Sequence, residues 1–455
     1  MANTYLTSGN LSSAGNQKKW TFSAWLKKAT IGVDNAFFGF YQDSNNYTIG
    51  QWRSDDLLRF GNVGGGSWTV ELAPNAVYRD LNAWYHVVFQ YDSGQATSSN
   101  RASLWVNGVK QSSFATAVYP SQDANTRIPN NGYPITIGRG TKGSNTYYMN
   151  GCMSHVHFCD GYAYQASDFG STDTTTGEWK INTSPSVSYG THGFFLLKND
   201  NAVTDRSGQG NNFTLGGGTL TKTEDCPSNV FATLNPLSGS TDATFIAGNT
   251  TAYFGTASSR SILTSTLGAS SGKYYWECKI GGNVSPNNAI LGVGLSNYYS
   301  ADSNPVGYKS DSWGYGGYNG QVINNSSSVG GTWSTFGDGD IIGVAVNLDN
   351  EQGGLNKLYF SKNGVWQNGA DPSNHSSTTG VVGITKPENG ATGFLFAQFG
   401  DAGSSATPRH EVNFGNGYFQ ETAISSAGTN ASGNGIFEYD VPTNFTALST
   451  KGLNL

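Results

Sequence analysis

The chain reads as all-β, two antiparallel β-sandwiches in tandem, and three observations carry that reading. Leu104-Trp105-Val106-Asn107-Gly108-Val109 and Leu358-Tyr359-Phe360-Ser361-Lys362-Asn363-Gly364-Val365 share one grammar, a strand-forming run that ends in Asn-Gly. That dipeptide favours a two-residue type I′ hairpin, because both central residues need positive φ. About 250 residues separate the copies, which suits two successive domains of one class. Charged residues make up only 12% of the 455-residue chain, against roughly 25% in an ordinary soluble protein. Glycine is abundant at 61 residues and aromatics reach 13%. Turns consume Gly and Asn while strands favour aromatic and β-branched residues, so this balance points to sheets and away from helices.

The first domain is expected over residues 1–220. Trp20-Thr-Phe-Ser-Ala-Trp-Leu26 alternates so that Trp20, Phe22, Ala24 and Leu26 share one face. Trp84–Tyr91 does the same with Tyr85, Val87, Phe89 and Tyr91. Further strands are predicted near Ser103–Asn107, Ile135–Gly138, Met149–Phe158 and Gly193–Lys198, and polar loops at Gln42–Asn46, Gly64–Ser67, Ser93–Asn100 and Gly140–Asn145. Gln165–Phe169 is long enough for one helical turn. Residues 221–249, with Gly216-Gly-Gly218 just before them and Pro227, Pro236 and Ser/Thr clusters within, have the composition of a linker or wrapping segment. The second domain is expected over 250–416, with strands at Gly272–Ile280, Ala289–Ser296, Ile341–Leu348, Leu358–Ser361 and Phe394–Phe399. Residues 417–455 form a tail, in which Phe437-Glu-Tyr-Asp-Val441 is a candidate edge strand and the last residues need a partner to be ordered.

Net charge is −6, and the 25 basic residues form no dense run, which argues against a nucleic-acid partner. No stretch approaches the roughly 18 apolar residues that cross a bilayer, and Met1–Asn10 lacks a signal peptide's apolar core. The cysteines are Cys152, Cys159, Cys226 and Cys278. On one strand Cys152 and Cys159 would stand about 23 Å apart on opposite faces, too far to bridge. Synthesis in a cytoplasm, without disulfides, is the expectation.

Residues 15–215 resemble the laminin-G/concanavalin A-like lectin superfamily. The stretches that carry this are Trp20–Lys27, Trp84–Tyr91, Leu104–Gly108, Ile137–Arg139, Asn150–Gly161 and Asp205–Asn212. Residues 270–416 resemble a SPRY domain through Gly272-Lys-Tyr-Tyr-Trp-Glu277, Ile290–Ser296, Trp313-Gly-Tyr315, Gly339–Val344, Leu358–Gly364 and Asn413-Phe-Gly415. The pairing, joined by Cys226-Pro-Ser-Asn-Val-Phe-Ala-Thr-Leu-Asn-Pro236 and followed by the Phe437–Val441 tail, is similar to virion-associated proteins of tailed phages, marine ones especially. The resemblance implies a virion structural protein of tail-fibre or adhesin type. It would recognise a host surface polysaccharide or a neighbouring virion protein, and would assemble as a homo-oligomer such as a trimer. Capsid decoration is the alternative role.

Catalysis is the challenger. A retaining glycosidase needs two carboxyls about 5–5.5 Å apart, and the available pairs are Asp338/Asp340 and Glu438/Asp440. The first reads as a turn leading into a core strand and the second lies in the tail, so no enzyme is expected. His155, His157 and Cys159 alternate on one strand, but without a visible fourth zinc ligand they read as exposed side chains opposite Val156 and Phe158. No cofactor is expected, with Asp200 and Asp205, beside Asn201 and Asn211, as calcium candidates in a Gly-rich loop; an Asx-bonded turn is the competing role. Aromatic side chains near loops are the candidate ligand contacts, because flat rings suit sugar C–H surfaces: Trp52, Tyr133, Tyr147, Tyr148, Tyr298, Tyr299 and Trp366. Trp313, Tyr315 and Tyr318 read as framework.

Overall fold

The computed structural model describes residues 3–238, 243–255, 261–282, 288–294, 305–349, 355–384, 393–403 and 407–454. The chain forms two compact units, Met1–Lys222 and Thr223–Leu455. Both are antiparallel sandwiches, and no α-helix occurs among the described residues.

In the first unit, a six-stranded sheet runs in the order Phe194–Leu196, Gly151–Asp160, Lys19–Lys28, Tyr85–Asp92, Ala102–Val106, Val109–Lys110. Trp20, Phe22, Ala24 and Leu26 are fully buried on its inner face, as their alternation requires. Opposite lies an eight-stranded sheet, ordered Phe114–Val118, Ser67–Pro74, Leu58–Gly64, Asn46–Trp52, Asn35–Asp43, Ile135–Ile137, Tyr5–Thr7, Thr214–Gly217. The core between the two sheets is aromatic: Phe60 stacks on Phe89 at 4.0 Å between centroids, and Phe22 meets Phe38 at 4.4 Å. Such pairs add about 0.5–1.5 kcal/mol each beyond their burial. Two polar tips in this core find acceptors: Trp20 Nε1 donates to Thr126 Oγ1 and the Tyr91 hydroxyl to the Ala124 carbonyl, each at 2.9 Å.

The Asn-Gly turns form as the sequence requires. Asn107 and Gly108 have φ of 47° and 79°, and Asn363 and Gly364 have 49° and 80°. The flanking residues pair directly, Val106 with Val109 and Lys362 with Val365. The predicted turn at 165–169 is the short 3₁₀ segment Ala166–Asp168. Residues 140–145, expected as a loop, are instead part of a hairpin, Arg139–Lys142 with Asn145–Tyr148.

In the second unit, the larger sheet runs Thr244–Ile246, Thr251–Tyr253, Arg409–Asn413, Lys273–Gly281, Ile341–Asn347, Asn356–Lys362, Val365–Trp366, with Val382–Ile384 paired to Asn356–Lys362. It faces a six-stranded sheet, Ser261–Ala269, Leu395–Asp401, Ala289–Gly294, Ser312–Gly316, Gln321–Asn324, Ser327–Val329. Trp276, Phe360, Tyr315 and Phe399 fill the core.

Residues 221–249 behave as the wrapping segment of the two expected alternatives, while the expectation for the tail is corrected. From residues 221–249, Phe231, Ala232 and Leu234 are buried in the second unit, and Phe231 and Leu234 bridge to Ser449 and Ser265. The tail lies against the outer face of the larger sheet. Phe437, Val441, Phe445 and Ala447 pack with Tyr275, Ala345 and Tyr359, and Thr446–Ala447 pairs in parallel with Tyr274 and Tyr275. Without this cover, two tyrosines and an alanine would face water. The Phe437–Val441 segment is not an edge strand, because the N–H groups of Glu438 and Tyr439 are spent on the Glu277 carboxylate, at 2.8 Å each. Tyr275 Oη and Asn413 Nδ2 also donate to that carboxylate, at 3.0 and 3.3 Å. Burial pushes Glu277 up to about 7 against the pull of these donors.

Candidate functional site

In each unit the chain covers the outer face of one sheet with its own segment. In the first unit residues 161–190 lie on the six-stranded sheet. Ala166, Phe169 and Tyr189 are buried there against Val88, Trp105, Cys159 and Phe195. This cover corrects the expectation for His155, His157 and Cys159, which are 7%, 2% and 0% exposed. His155 sits in a β-bulge with φ 48°, where the register to Trp25 and Ser23 slips. His155 Nδ1 is bonded to Ser154 Oγ and His157 Nδ1 to the Tyr189 hydroxyl, so neither nitrogen is turned to a ligand. Among the described residues, no three His, Cys, Asp or Glu are placed to hold a metal ion.

Beside them, the buried Ser23 Oγ stands 2.9 Å from His86 Nε2, the contact a nucleophile and its base would make. Its polarity is the reverse. Trp179 Nε1 lies 3.0 Å from His86 Nδ1, and an indole N–H can only donate, so Nδ1 is an acceptor. Burial pushes His86 down to about 3, leaving it neutral, with its proton on Nε2 and directed at Ser23. The imidazole donates to the hydroxyl and takes no proton from it.

Two of the four candidate carboxylates, Asp340 and Asp440, have structural partners. Asp340 accepts from Gly337 N–H and Asn363 Nδ2 and is paired with Lys362 at 3.1 Å. Asp440 accepts from the N–H and hydroxyl of Thr429, while Asp338 is exposed in its turn and Glu438 is half-buried. Asp205, 8% exposed, accepts from the N–H groups of Phe195, Ser207 and Asn211 and from the Ser207 hydroxyl. Asp200 accepts from Ala202 N–H and pairs with Arg206 at 3.2 Å, and the Asn201 and Asn211 amides donate to backbone carbonyls. With the Asp200 and Asp205 carboxylate oxygens already taken by N–H, hydroxyl and guanidinium donors, the set does not fit calcium, which takes six to eight oxygens. It fits an Asx-bonded loop.

The aromatic candidates separate. Trp52 is a correction: it is fully buried, since its position closes a core strand and its ring packs on Tyr78 at 5.1 Å. Tyr133 is half-buried, edge-on to Phe40. Tyr148 lies 6.0 Å from Tyr5, and Trp366 packs under the tail against Tyr275. Tyr298 and Tyr299 lie outside the described residues. Trp313 and Tyr315 are buried as framework, but Tyr318 is 60% exposed, contrary to expectation. Tyr147 alone joins a larger constellation.

That constellation occupies the outer face of the eight-stranded sheet. Ala36, Tyr47, Ile49 and Val63 form a small buried cluster there, with Tyr41, Trp68 and Tyr147 half-buried around it. Trp68 lies over Gly61, where a Cβ would stand 2.6 Å from a ring carbon, so only glycine lets the indole lie down on the strand. Tyr47 meets Trp68 edge-on at 5.9 Å, and the Arg59 guanidinium sits over the indole at 5.2 Å. Arg59 and Glu71 are paired at 2.7 Å although both are almost buried. Gln51 is the direct cross-strand partner of Arg59. Sequence reading missed Trp68, Arg59, Glu71 and Gln51. The available signal was a charge set between core residues, in Leu58-Arg59-Phe60 and Val70-Glu71-Leu72, in a chain that carries few charges.

Residues 1–167 match the family model of the concanavalin A-like lectin/glucanases superfamily, and residues 273–380 match the SPRY domain model. A concanavalin A-like match is thus followed by a SPRY match, each on its own sandwich. No curated protein matches the chain. Solved structures similar to it include the SPRY domain of human HERC1, at 18% identity over 39% of this chain and 96% of that one, with a TM-score of 0.29. A native heptameric SAP-like pentraxin from Limulus polyphemus is 16% identical over 36% of this chain and 71% of that one, with a TM-score of 0.26. Domains LG4-5 of the mouse laminin alpha1 chain are 10% identical over 98% of this chain and 84% of that one, with a TM-score of 0.28.

Proposed function

We propose that the protein is a non-enzymatic virion component of a tailed phage, of tail-fibre or adhesin type, which recognises a host surface glycan or a neighbouring virion protein. A carbohydrate- or protein-binding adhesion module is what the pair of domains supports. The observation that carries the reading is the aromatic and ionic cluster around Trp68, the kind of surface that grips a ligand without transforming it. The Ser23–His86 pair has the wrong proton polarity for hydrolysis, and one carboxylate of each candidate pair, Asp340 and Asp440, holds a turn. Many copies on one particle would raise avidity by about 10²–10⁴ without new contacts, which is how individually weak contacts would suffice. A homo-oligomer, trimeric in a fibre, follows from that logic. In the decoration alternative the tail would clamp neighbouring subunits, yet Phe437–Leu448 packs against its own chain.

Gold-labelled antibody against the protein, applied to purified particles from the source culture, tests this. Label at the tail is the expected outcome. Label over the head would replace the adhesin with a decoration protein, and absence of label from every particle would end the virion reading.

A further inference from the structure

The segment that covers the six-stranded sheet of the first unit is held differently from the strands beneath it. Within residues 161–190, Gly170–Thr172 and Trp179–Ile181 pair with each other as a separate hairpin, outside both large sheets. Backbone bonds fasten its two ends, the Gly161 N–H to the Lys19 carbonyl and the Asp160 N–H to the Tyr189 carbonyl. Two aromatic side chains of the segment reach down to histidines of the sheet. Trp179 Nε1 donates to His86 Nδ1 at 3.0 Å, with the rings 5.9 Å apart and nearly parallel. The Tyr189 hydroxyl meets His157 Nδ1 at 2.9 Å, with those rings 6.1 Å apart. Phe169 closes the space between, 6.5 Å from His86 and 5.1 Å from His157.

These pins hold only while the imidazoles are neutral. An indole can only donate, so His86 Nδ1 must accept, and a proton there would set one N–H against another. His86 and His157 are 1% and 2% exposed, so a charge on either ring would sit out of water. Among the described residues no carboxylate acts on either ring: His155 acts on both, and His86 and Lys198 act on His157. The other titratable groups of the elements packed here are engaged elsewhere or uncharged. Lys27 Nζ is bonded to Asn82, Lys110 lies over the Trp105 ring, Asp205 accepts from Phe195 N–H, and burial pushes the Cys159 thiol up. On the covering segment itself, Tyr164 Oη accepts from Ser188 N–H, Asp168 accepts from Gln165 N–H, Asp173 pairs with Lys180, and Glu178 is exposed.

We propose that residues 161–190 form an acid-released strap, pinned to the six-stranded sheet through His86 and His157 and lifting before the sandwich unfolds. Once the strap lifts, both rings reach water and recover their ordinary proton affinity, near pH 6.5. The closed form is therefore favoured above that pH and loses ground as pH falls below it. From pH 7 to pH 5 the opening equilibrium shifts by about 25-fold for each ring, several hundred-fold for the two. The strand ladder beneath stays intact, and what the strap uncovers is the apolar set Val88, Trp105 and Phe195.

Amide hydrogen exchange on the full chain tests this at pH 7 and pH 5, a window in which ordinary carboxylates stay ionised, after correction for the intrinsic effect of pH. At pH 5 residues 166–187 are expected to exchange several hundred-fold more readily than at pH 7, while the strand Lys19–Lys28 remains protected. His86→Asn offers Trp179 an oxygen acceptor that does not titrate, and its strap should respond to the same change of pH by about 25-fold less than the parent's. Trp179→Phe changes only the strap, keeping a ring and dropping the donor, so it serves even if His86→Asn fails to fold. It should open the strap about tenfold already at pH 7, because His86 Nδ1 loses its partner. A strap unprotected at pH 7, a strap equally protected at both pH values, or equal protection of strap and strand throughout would overturn the proposal. So would a His86→Asn response matching the parent's, or Trp179→Phe protection unchanged at pH 7.

Discussion

At the residue scale, the two Asn-Gly turns do more than reverse the chain. Gly108 lies under the Trp179 ring of the covering segment and Gly364 under the Tyr439 ring of the tail, so each glycine combines a left-handed backbone with close approach of an aromatic face. A side chain at either position would meet both costs. Gly108→Ala is expected to destabilise the first unit by about 2–4 kcal/mol, the left-handed strain adding to displacement of Trp179. Gly132→Ala, with φ 81° but open space around it, should cost only about 1 kcal/mol. Chemical denaturation of the two variants measures the difference, and equal losses would mean that Trp179 contributes nothing at the turn. The positive φ of these turns was legible from the dipeptide alone. The rings above them were not, because Trp179 and Tyr439 are more than 70 residues away in sequence from the glycines they cover.

At the element scale, the tail shows why composition misled. Residues 417–455 are polar and poor in strand pattern, which reads as an appendage, yet they supply Phe437, Val441, Phe445 and Leu448 to the second unit. The anchor is Glu277, an acid inside a core strand, whose carboxylate collects the N–H groups that a strand pairing would otherwise have used. Glu277→Ala leaves those two N–H groups and the Tyr275 hydroxyl without an acceptor, at an expected cost of roughly 3–5 kcal/mol. Limited proteolysis should then cut the variant first within residues 420–445. Unchanged digestion would mean that apolar packing alone holds the tail. In the first unit, Asn35–Asp43, Asn46–Trp52, Leu58–Gly64 and Ser67–Pro74 were read only through their turns. Gly39, Gly50 and Gly61 interrupt their hydrophobic runs, and the same misreading put Trp52 near a loop. Charged Arg59 and Glu71 broke the pattern further, and they are residues of the candidate site.

At the scale of the whole molecule, the units should respond differently to acid. His86 and His155 in the first unit are pushed by burial down to about 3 and about 4, and His157 well below its usual value. All three stay neutral when folded and bind protons when unfolded below about pH 6.5. Stability present above that pH is therefore lost as pH falls toward the folded values, by up to about 4 kcal/mol per pH unit for three protons. In the second unit His410, lowered to about 4, acts in the same sense. Glu277 and Asp401, raised by burial to about 7 and about 6, act in the opposite one. Their folded forms hold protons that the unfolded chain releases near pH 4, so their contribution grows as pH falls from 7 toward 5. Calorimetry from pH 7 to 5 should show the first unit's transition moving down steeply while the second unit's changes little. Parallel shifts of both transitions would contradict the assignment.

The sequence by itself determined the class of the molecule: low charge, alternating aromatic strands and two Asn-Gly hairpins permit sandwiches and little else, because these signals are local and each is set by backbone geometry. It also determined the order of the two domains, through motifs that lie within single strands. Only the tertiary structure decided what each outer face meets. Cover by residues 161–190, burial of the tail by Glu277, and assembly of Trp68, Gln51, Arg59 and Glu71 on one surface all depend on register between strands. A shift of one residue would turn every one of those side chains to the opposite face.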